Sequence, residues 1–181
     1  QRTPTAQWTA TASGCTILGR EGPGPYITHV TCGKIVDKGI SDPNNMGAAM
    51  APAAYDTLAA FFRDTGTTPK DYDLVITGDL GELGHGIVRD FFARDGVELG
   101  DNFQDCGLLL YDRDGQDMHA GASGCGCSAS VLNGYLLTEM QRGRWRKILF
   151  APTGALLSPT SSFQGESIPG ICHAVCISVE K

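Results

Sequence analysis

A single α/β domain built on a mixed sheet is the fold class this sequence predicts, and three observations predict it. Apolar, β-branched segments alternate along the chain with segments of helical periodicity. The 181 residues suit one compact unit with a real core. The 24 glycines, free of any collagen period, point to many tight turns and close backbone approaches.

Each element follows in order. "YITHVTCGKIVD" is β-branched and alternating and reads as a strand. "DPNNMGAAMAPAAYDTLAAFFRD" sets Met46, Ala49, Met50, Ala53, Leu58 and Phe61 or Phe62 at helical spacing, with Pro52 marking a kink or the first turn. "YDLVITGD" is a short apolar run ending in Gly-Asp, the pattern of a buried strand. "LGHGIVRDFFARDG" carries Ile87, Val88, Phe91 and Phe92 on one helical face, and Gly96 closes it as a C-cap. A strand "CGLLLYD" and a charged turn "DRDGQD" come next. "SASVLNGYLLTEMQRGRW" reads as a helix with Ser128 near its N-cap and Val131, Leu132, Tyr135 and Met140 on its buried stripe. "KILFAPTG" and "GICHAVCISVE" are apolar strands separated by "ALLSPTSSFQGESIP". Three helices interleaved with about five strands give the mixed sheet.

Composition narrows the function. A net charge of −6 argues against a nucleic-acid partner, since phosphate binding relies on Lys and Arg. No apolar run is long enough to span a bilayer, and "QRTPTAQWTA" lacks the basic head and apolar segment of a secretory leader. The seven cysteines are odd in number and sit mostly in apolar segments, the usage of a reduced, intracellular protein.

The chemistry concentrates in "HAGASGCGCSAS", residues 119–130. Zinc would require Cys125, Cys127, Cys172, His173 and Cys176 to converge, yet on a strand His173 faces away from Cys172 and Cys176, so no metal is expected. His173 itself reads as a buried neutral histidine between Ile171, Val175 and Ile177. Cys125 or Cys127 at a helix start could be a nucleophile, with His119 as the only local base. An anion nest is the favoured reading. Gly121, Gly124 and Gly126 free the backbone, Ser123 and Ser128 add hydroxyls, and "TGDLGELGHG" repeats the arrangement after another strand.

Five strings, "DPNNMGAAMAPAA", "VITGDLG", "DCGLLLYD", "HAGASGCGCSAS" and "PTGALLSPTSSFQGESIPGICHAV", resemble the C-terminal half of the stage V sporulation protein AD family over essentially the whole chain. The resemblance implies a thiolase-like half domain with a five-stranded mixed sheet, residues 1–181 forming one half of a pseudo-dimer. In condensing enzymes of that fold the nucleophilic cysteine belongs to the other half. Where their second half would supply a histidine this chain has Gly78 and Asp79, and where it would supply Asn or His it has Cys125 or a neighbour. An aspartate and a thiol are not the two neutral donors that a thioester oxyanion needs, which argues against catalysis.

What the resemblance implies instead is binding, without a cofactor: a small-molecule component of a spore transport complex that takes dipicolinate or its calcium chelate. The ligand-binding residues expected are Asp79, His119, Ser123, Cys125, Gly126, Ser128 and Ser158, all but Gly126 lining one cavity and Gly126 permitting close approach. The partners implied are the N-terminal half of the fold and spore membrane proteins. A homodimer is expected, located inside the forespore or spore and peripheral to the inner spore membrane. An acyltransferase and a purely structural scaffold for membrane partners are the alternatives.

Overall fold

The computed structural model describes residues 3–181, and regular structure begins with the two-residue strand β1 (Trp8–Thr9). An irregular arm follows and leads into β2 (Tyr26–Thr31). Helix α1 (Met46–Thr65) starts where the Asn45 side chain accepts a hydrogen bond from Ala48 N at 3.3 Å, and it stops at Gly66, whose φ of 65° needs a residue without a Cβ. Pro52 is buried inside this continuous helix, neither its first turn nor a break. A 3₁₀ turn at Pro69–Asp71 leads to β3 (Leu74–Thr77), buried along its whole length, and then to α2 (Gly81–Arg94). Val88 and Phe92 face the core from α2, Ile87 and Phe91 are half-buried, and Gly96 turns the chain away at φ 76°.

The sequence expectation fails at the next step. The strand β4 is Phe103–Asp105, and "CGLL" forms the short helix α3 (Cys106–Leu109). The cause is Asp105, whose carboxylate accepts from Gly107 N at 3.0 Å and caps a helix where apolar content alone suggested a strand. After β5 (Ala122–Ser123), α4 (Cys125–Val131) begins behind Gly124 (φ 95°) rather than at Ser128. A π turn at Leu132–Leu136 joins it to α5 (Leu137–Gln141). Val131 and Met140 are buried as expected and Leu132 half-buried, but the wider turn shifts the stripe between them, so that Leu136 is buried and Tyr135 is exposed.

Both C-terminal runs are divided as well. β6 (Lys147–Ala151) and β7 (Thr153–Ala155) are separated by Pro152. Helix α6 (Pro159–Phe163) follows, and then β8 (Gly170–Cys172) and β9 (Ala174–Ser178) flank His173. That histidine is exposed, not buried, because the strand breaks there, and its Nδ1 accepts from Gly33 N at 3.1 Å.

The main sheet has the order β2-β9-β6-β3-β4, with β6, β3 and β4 parallel and β9 antiparallel to both β6 and β2. The expected five-stranded mixed sheet is therefore present. Alternation along β3 sends Val75 to one face, against Met50, Leu58, Phe61 and Phe92 of α1 and α2. Leu74 and Ile76 go to the other, against Cys127, Val131, Leu136 and Met140 of the 125–141 helical run. Helices thus cover both faces, which is why the central strands read as continuous apolar runs. Helices α1 and α2 cross at two glycines, where a Cβ on Gly84 would lie 2.8 Å from the Gly47 Cα. Two small ladders, parallel β1–β5 and antiparallel β7–β8, sit beside the main sheet. Among the described residues no helix is long and apolar enough to cross a membrane.

Candidate functional site

The parallel strands β3 and β6 deliver their following turns to one end of the sheet, and β5 brings the loop before α4 to the same place. Gly78 is small by necessity: a Cβ there would lie 2.7 Å from Thr153 N. Its absence lets the two turns touch.

Asp79 ties all three segments together. Its Oδ2 accepts from Gly124 N at 3.0 Å, its Oδ1 accepts from Thr153 Oγ1 at 3.0 Å, and its own amide donates to Thr153 Oγ1 at 3.2 Å. From the amino-terminal arm, Gln7 Nε2 donates to Asp79 O at 2.7 Å and to Ala122 O at 2.8 Å. Gln7 Oε1 is buried without a partner among the described residues. Burial pushes the Asp79 carboxyl up to about 6, with the nearby Asp105 adding to the shift and the Gly124 and Thr153 hydrogen bonds opposing it.

Asp105 lies behind this turn, fully buried. Its two oxygens accept from Thr77 Oγ1 (2.7 Å), Leu80 N (3.0 Å), Gly81 N (3.1 Å) and Gly107 N (3.0 Å). Burial raises its pKa against the pull of those donors. This residue pins the starts of α2 and α3 and so holds the floor under Asp79.

A cavity of about 500 Å³ opens in front of Asp79. Thr5, Gln7 and Thr9 of the arm form one wall, Met46 and Met50 of α1 another, and Ser123, Cys125, Ser128 and Thr153 supply hydroxyls and a thiol. Asp79 carries the only formal charge among the described lining residues.

Four expected site residues therefore meet in one place: Asp79, Ser123, Cys125 and Ser128. Three do not. His119 points outward, with Nε2 3.2 Å from Asp117 Oδ1, in a separate surface depression shared with Glu82 and Arg113. Asp117 at φ 54° and the Arg113–Glu82 ion pair turn that loop away from the cavity. Ser158 sits half-buried at the start of α6, outside the cavity. Gly126 is buried under the arm, where a Cβ would lie 2.2 Å from the Ala12 carbonyl oxygen. The close approach it permits is that of the chain's own backbone. Gln7, Thr5, Thr9 and Thr153 were not legible as site residues, because "TPTAQWT" has no periodicity and Thr153 lies in an apolar run. Met46 and Met50 stand one helical turn apart, a signal that reads equally as core.

Chemically, the site is a set of neutral donors around one carboxylate. Cys127 is buried with its Sγ 3.9 Å from Gly78 O, and burial pushes its thiol up to about 12, far from a reactive thiolate. Cys125 is exposed on the cavity wall, and no histidine lines that cavity among the described residues to serve as its base.

Comparison with known proteins bears on this geometry. A family model described as Stage V sporulation protein AD matches residues 1–178. The chain is 45% identical over 175 residues to the Stage V sporulation protein AD of Bacillus subtilis (strain 168), an alignment covering 97% of this chain and 52% of that protein. It thus spans about half the length of the curated relative it matches. Among solved structures it is similar to a 3-oxoacyl-[acyl-carrier-protein] synthase III from Aquifex aeolicus VF5, with a TM-score of 0.43, 10% identity, and coverage of 82% of this chain and 44% of that one. It is also similar to a ketosynthase in complex with its chain length factor from Xenorhabdus doucetiae, with a TM-score of 0.37, 10% identity, and coverage of 84% and 78%.

Proposed function

The chain belongs to the stage V sporulation protein AD family, and from that membership we propose that it is a non-catalytic binding component for a small dicarboxylate of the dipicolinate type, acting in sporulation as part of a transport complex. The observation that supports the reading is the cavity at the ends of β3, β5 and β6. It combines hydroxyl and amide groups with an apolar wall of Met46 and Met50, the mixture that a planar aromatic acid uses. The calcium chelate of such a ligand carries less negative charge than the free acid, which suits a wall containing Asp79. In this reading the chain is one thiolase-like half of a two-part fold, and the other half completes the cavity. The assembly is a homodimer that meets spore membrane proteins at the inner spore membrane.

Calorimetry with dipicolinate, with and without calcium, on the full-length protein tests the proposal: saturable binding with one site per chain is expected, and no heat in either condition would refute it. A second reading, acyl transfer, draws support from Cys125, an exposed thiol on the cavity wall at the start of α4. Incubation with acyl-coenzyme A followed by mass spectrometry separates the two. An unmodified Cys125 is expected, and an acylated Cys125 would favour the enzyme.

A further inference from the structure

We propose that Asp79 is the specificity-determining residue of the cavity and admits a metal-free dicarboxylate dianion only together with one proton, which Asp79 itself carries in the complex. The inference rests on the reading of the cavity as a dicarboxylate site and adds the condition under which that site fills.

Three features of the geometry lead to it. Asp79 is the only formally charged group among the described lining residues, so on this chain's side of the cavity an incoming dianion meets a like charge and no cationic side chain. Its two oxygens already engage Gly124 N–H and Thr153 O–H, donors that a ligand carboxylate would seek at this end of the sheet. Among the described residues, the segments of this chain packed around it bring no compensating charge. Asp105 of β4 stands behind it as a second carboxylate, Cys106 of α3 and Cys127 of α4 are thiols that burial keeps protonated, and Cys125 is the other ionisable group on the wall.

Two unit charges about 5 Å apart at an effective dielectric near 20 repel strongly enough to weaken binding on the order of a hundredfold. A proton on Asp79 removes that repulsion and leaves an O–H able to donate to the ligand. Burial has already moved the Asp79 carboxyl to about 6, so the proton is obtained near neutral pH with little further shift. Protonation also loosens the hold on Gly124 N–H, because a neutral acid is a weaker acceptor than a carboxylate, and that frees a backbone donor for the ligand.

The test is calorimetry of dipicolinate binding to the full-length protein in metal-free buffer between pH 5.5 and 8. Affinity of the unaltered protein should be level below pH 6 and weaken about tenfold per pH unit above it. Repeating the titration near pH 7 in two buffers of different ionisation enthalpy should count one proton taken up per ligand bound. In Asp79→Asn, where the amide oxygen can still accept from Gly124 N and the amide nitrogen can donate to Thr153 Oγ1, binding should be as tight as at low pH, independent of pH and without proton uptake. A thermal melt establishes that the variant is folded, and the proton count on the unaltered protein stands without it. Binding with no proton uptake, or an unchanged pH slope in Asp79→Asn, overturns this inference alone. Binding seen only when calcium is added overturns this inference alone. No binding by either protein at any pH, with or without calcium, overturns the dicarboxylate reading and this inference with it.

Discussion

Asp105 holds four donors with two oxygens in a place water does not reach; three of those donors are backbone amides, of which Gly107 N is shared with Gly78 O. Asp105→Asn keeps the shape but replaces one acceptor with a donor, leaving either Leu80 N (on Oδ2) or both Gly81 N and Gly107 N (on Oδ1) facing an N–H. Each orphaned buried amide costs about 1–3 kcal/mol, so a clear drop in melting temperature is expected, seen by calorimetry or circular dichroism. Asp79 makes stability depend on pH. Its folded pKa of about 6 lies above its unfolded value of 3.8, so the folded state binds the proton more tightly and stability rises as pH falls from about 6 toward 4. His85, lowered by burial, works against it, because the unfolded chain takes that proton first as pH drops below 6.5. Comparing unaltered protein with Asp79→Asn isolates the carboxylate: the difference in melting temperature should move in favour of the unaltered protein between pH 7 and pH 5. At Gly126 a valine would collide with the Ala12 carbonyl, so Gly126→Val should destabilise by about 1–3 kcal/mol and expose residues 10–20 to protease, an effect on the arm ahead of any effect on ligand. Cys127→Ala removes one buried sulfur and should cost about 1 kcal/mol in a melt while leaving binding intact. The sequence revealed Asp79, Ser123, Cys125 and Ser128 because glycine turns after apolar runs mark strand ends. It misplaced His119 because the loop's exit depends on the distant Arg113–Glu82 pair, and it hid Gln7 because that residue's partners lie 72 and 115 positions away.

Elements were legible where periodicity and burial agree. β3 and β6 are covered by helices on both faces, and their apolar runs say so without ambiguity. α1 and α2 were equally clear. The misreadings occur where local geometry overrides pattern: the Asp105 cap converts an apolar run into α3, and the π turn at 132–136 puts Leu136 rather than Tyr135 on the buried stripe. The contact of α1 with α2 offers a direct check of how tightly these layers are set. Gly84→Ala would place a methyl 2.8 Å from the Gly47 Cα, with backbone rather than a flexible side chain in the way. The helices must part to admit it, and a loss of about 1–3 kcal/mol is expected in denaturant titration despite the higher helix propensity of alanine.

Seen whole, the molecule leaves several apolar side chains uncovered, two of them adjacent at the end of the arm. The arm from Ala10 to Thr16 lies on the helical run 125–141: Gly14 approaches the Ala129 backbone so closely that a Cβ would sit 2.3 Å from its oxygen, and Thr16 Oγ1 donates to Asn133 Oδ1 at 2.6 Å. Just beyond, Ile17 and Leu18 are 94% and 73% exposed. Apolar side chains this open favour association, so the isolated chain should show a mass that rises with concentration in light scattering, and Ile17→Ser with Leu18→Ser should suppress it. The arm also orders how tension would travel through the molecule. It is laced in sequence through the Thr16–Asn133 bond, the glycine contacts at Gly14 and Gly126, and the β1–β5 pairs beside Gln7. A pull at Ile17 and Leu18 meets the single Thr16–Asn133 bond first and the cavity wall last. That one side-chain bond is therefore the fuse, giving way before a load on the arm's tip can widen the cavity.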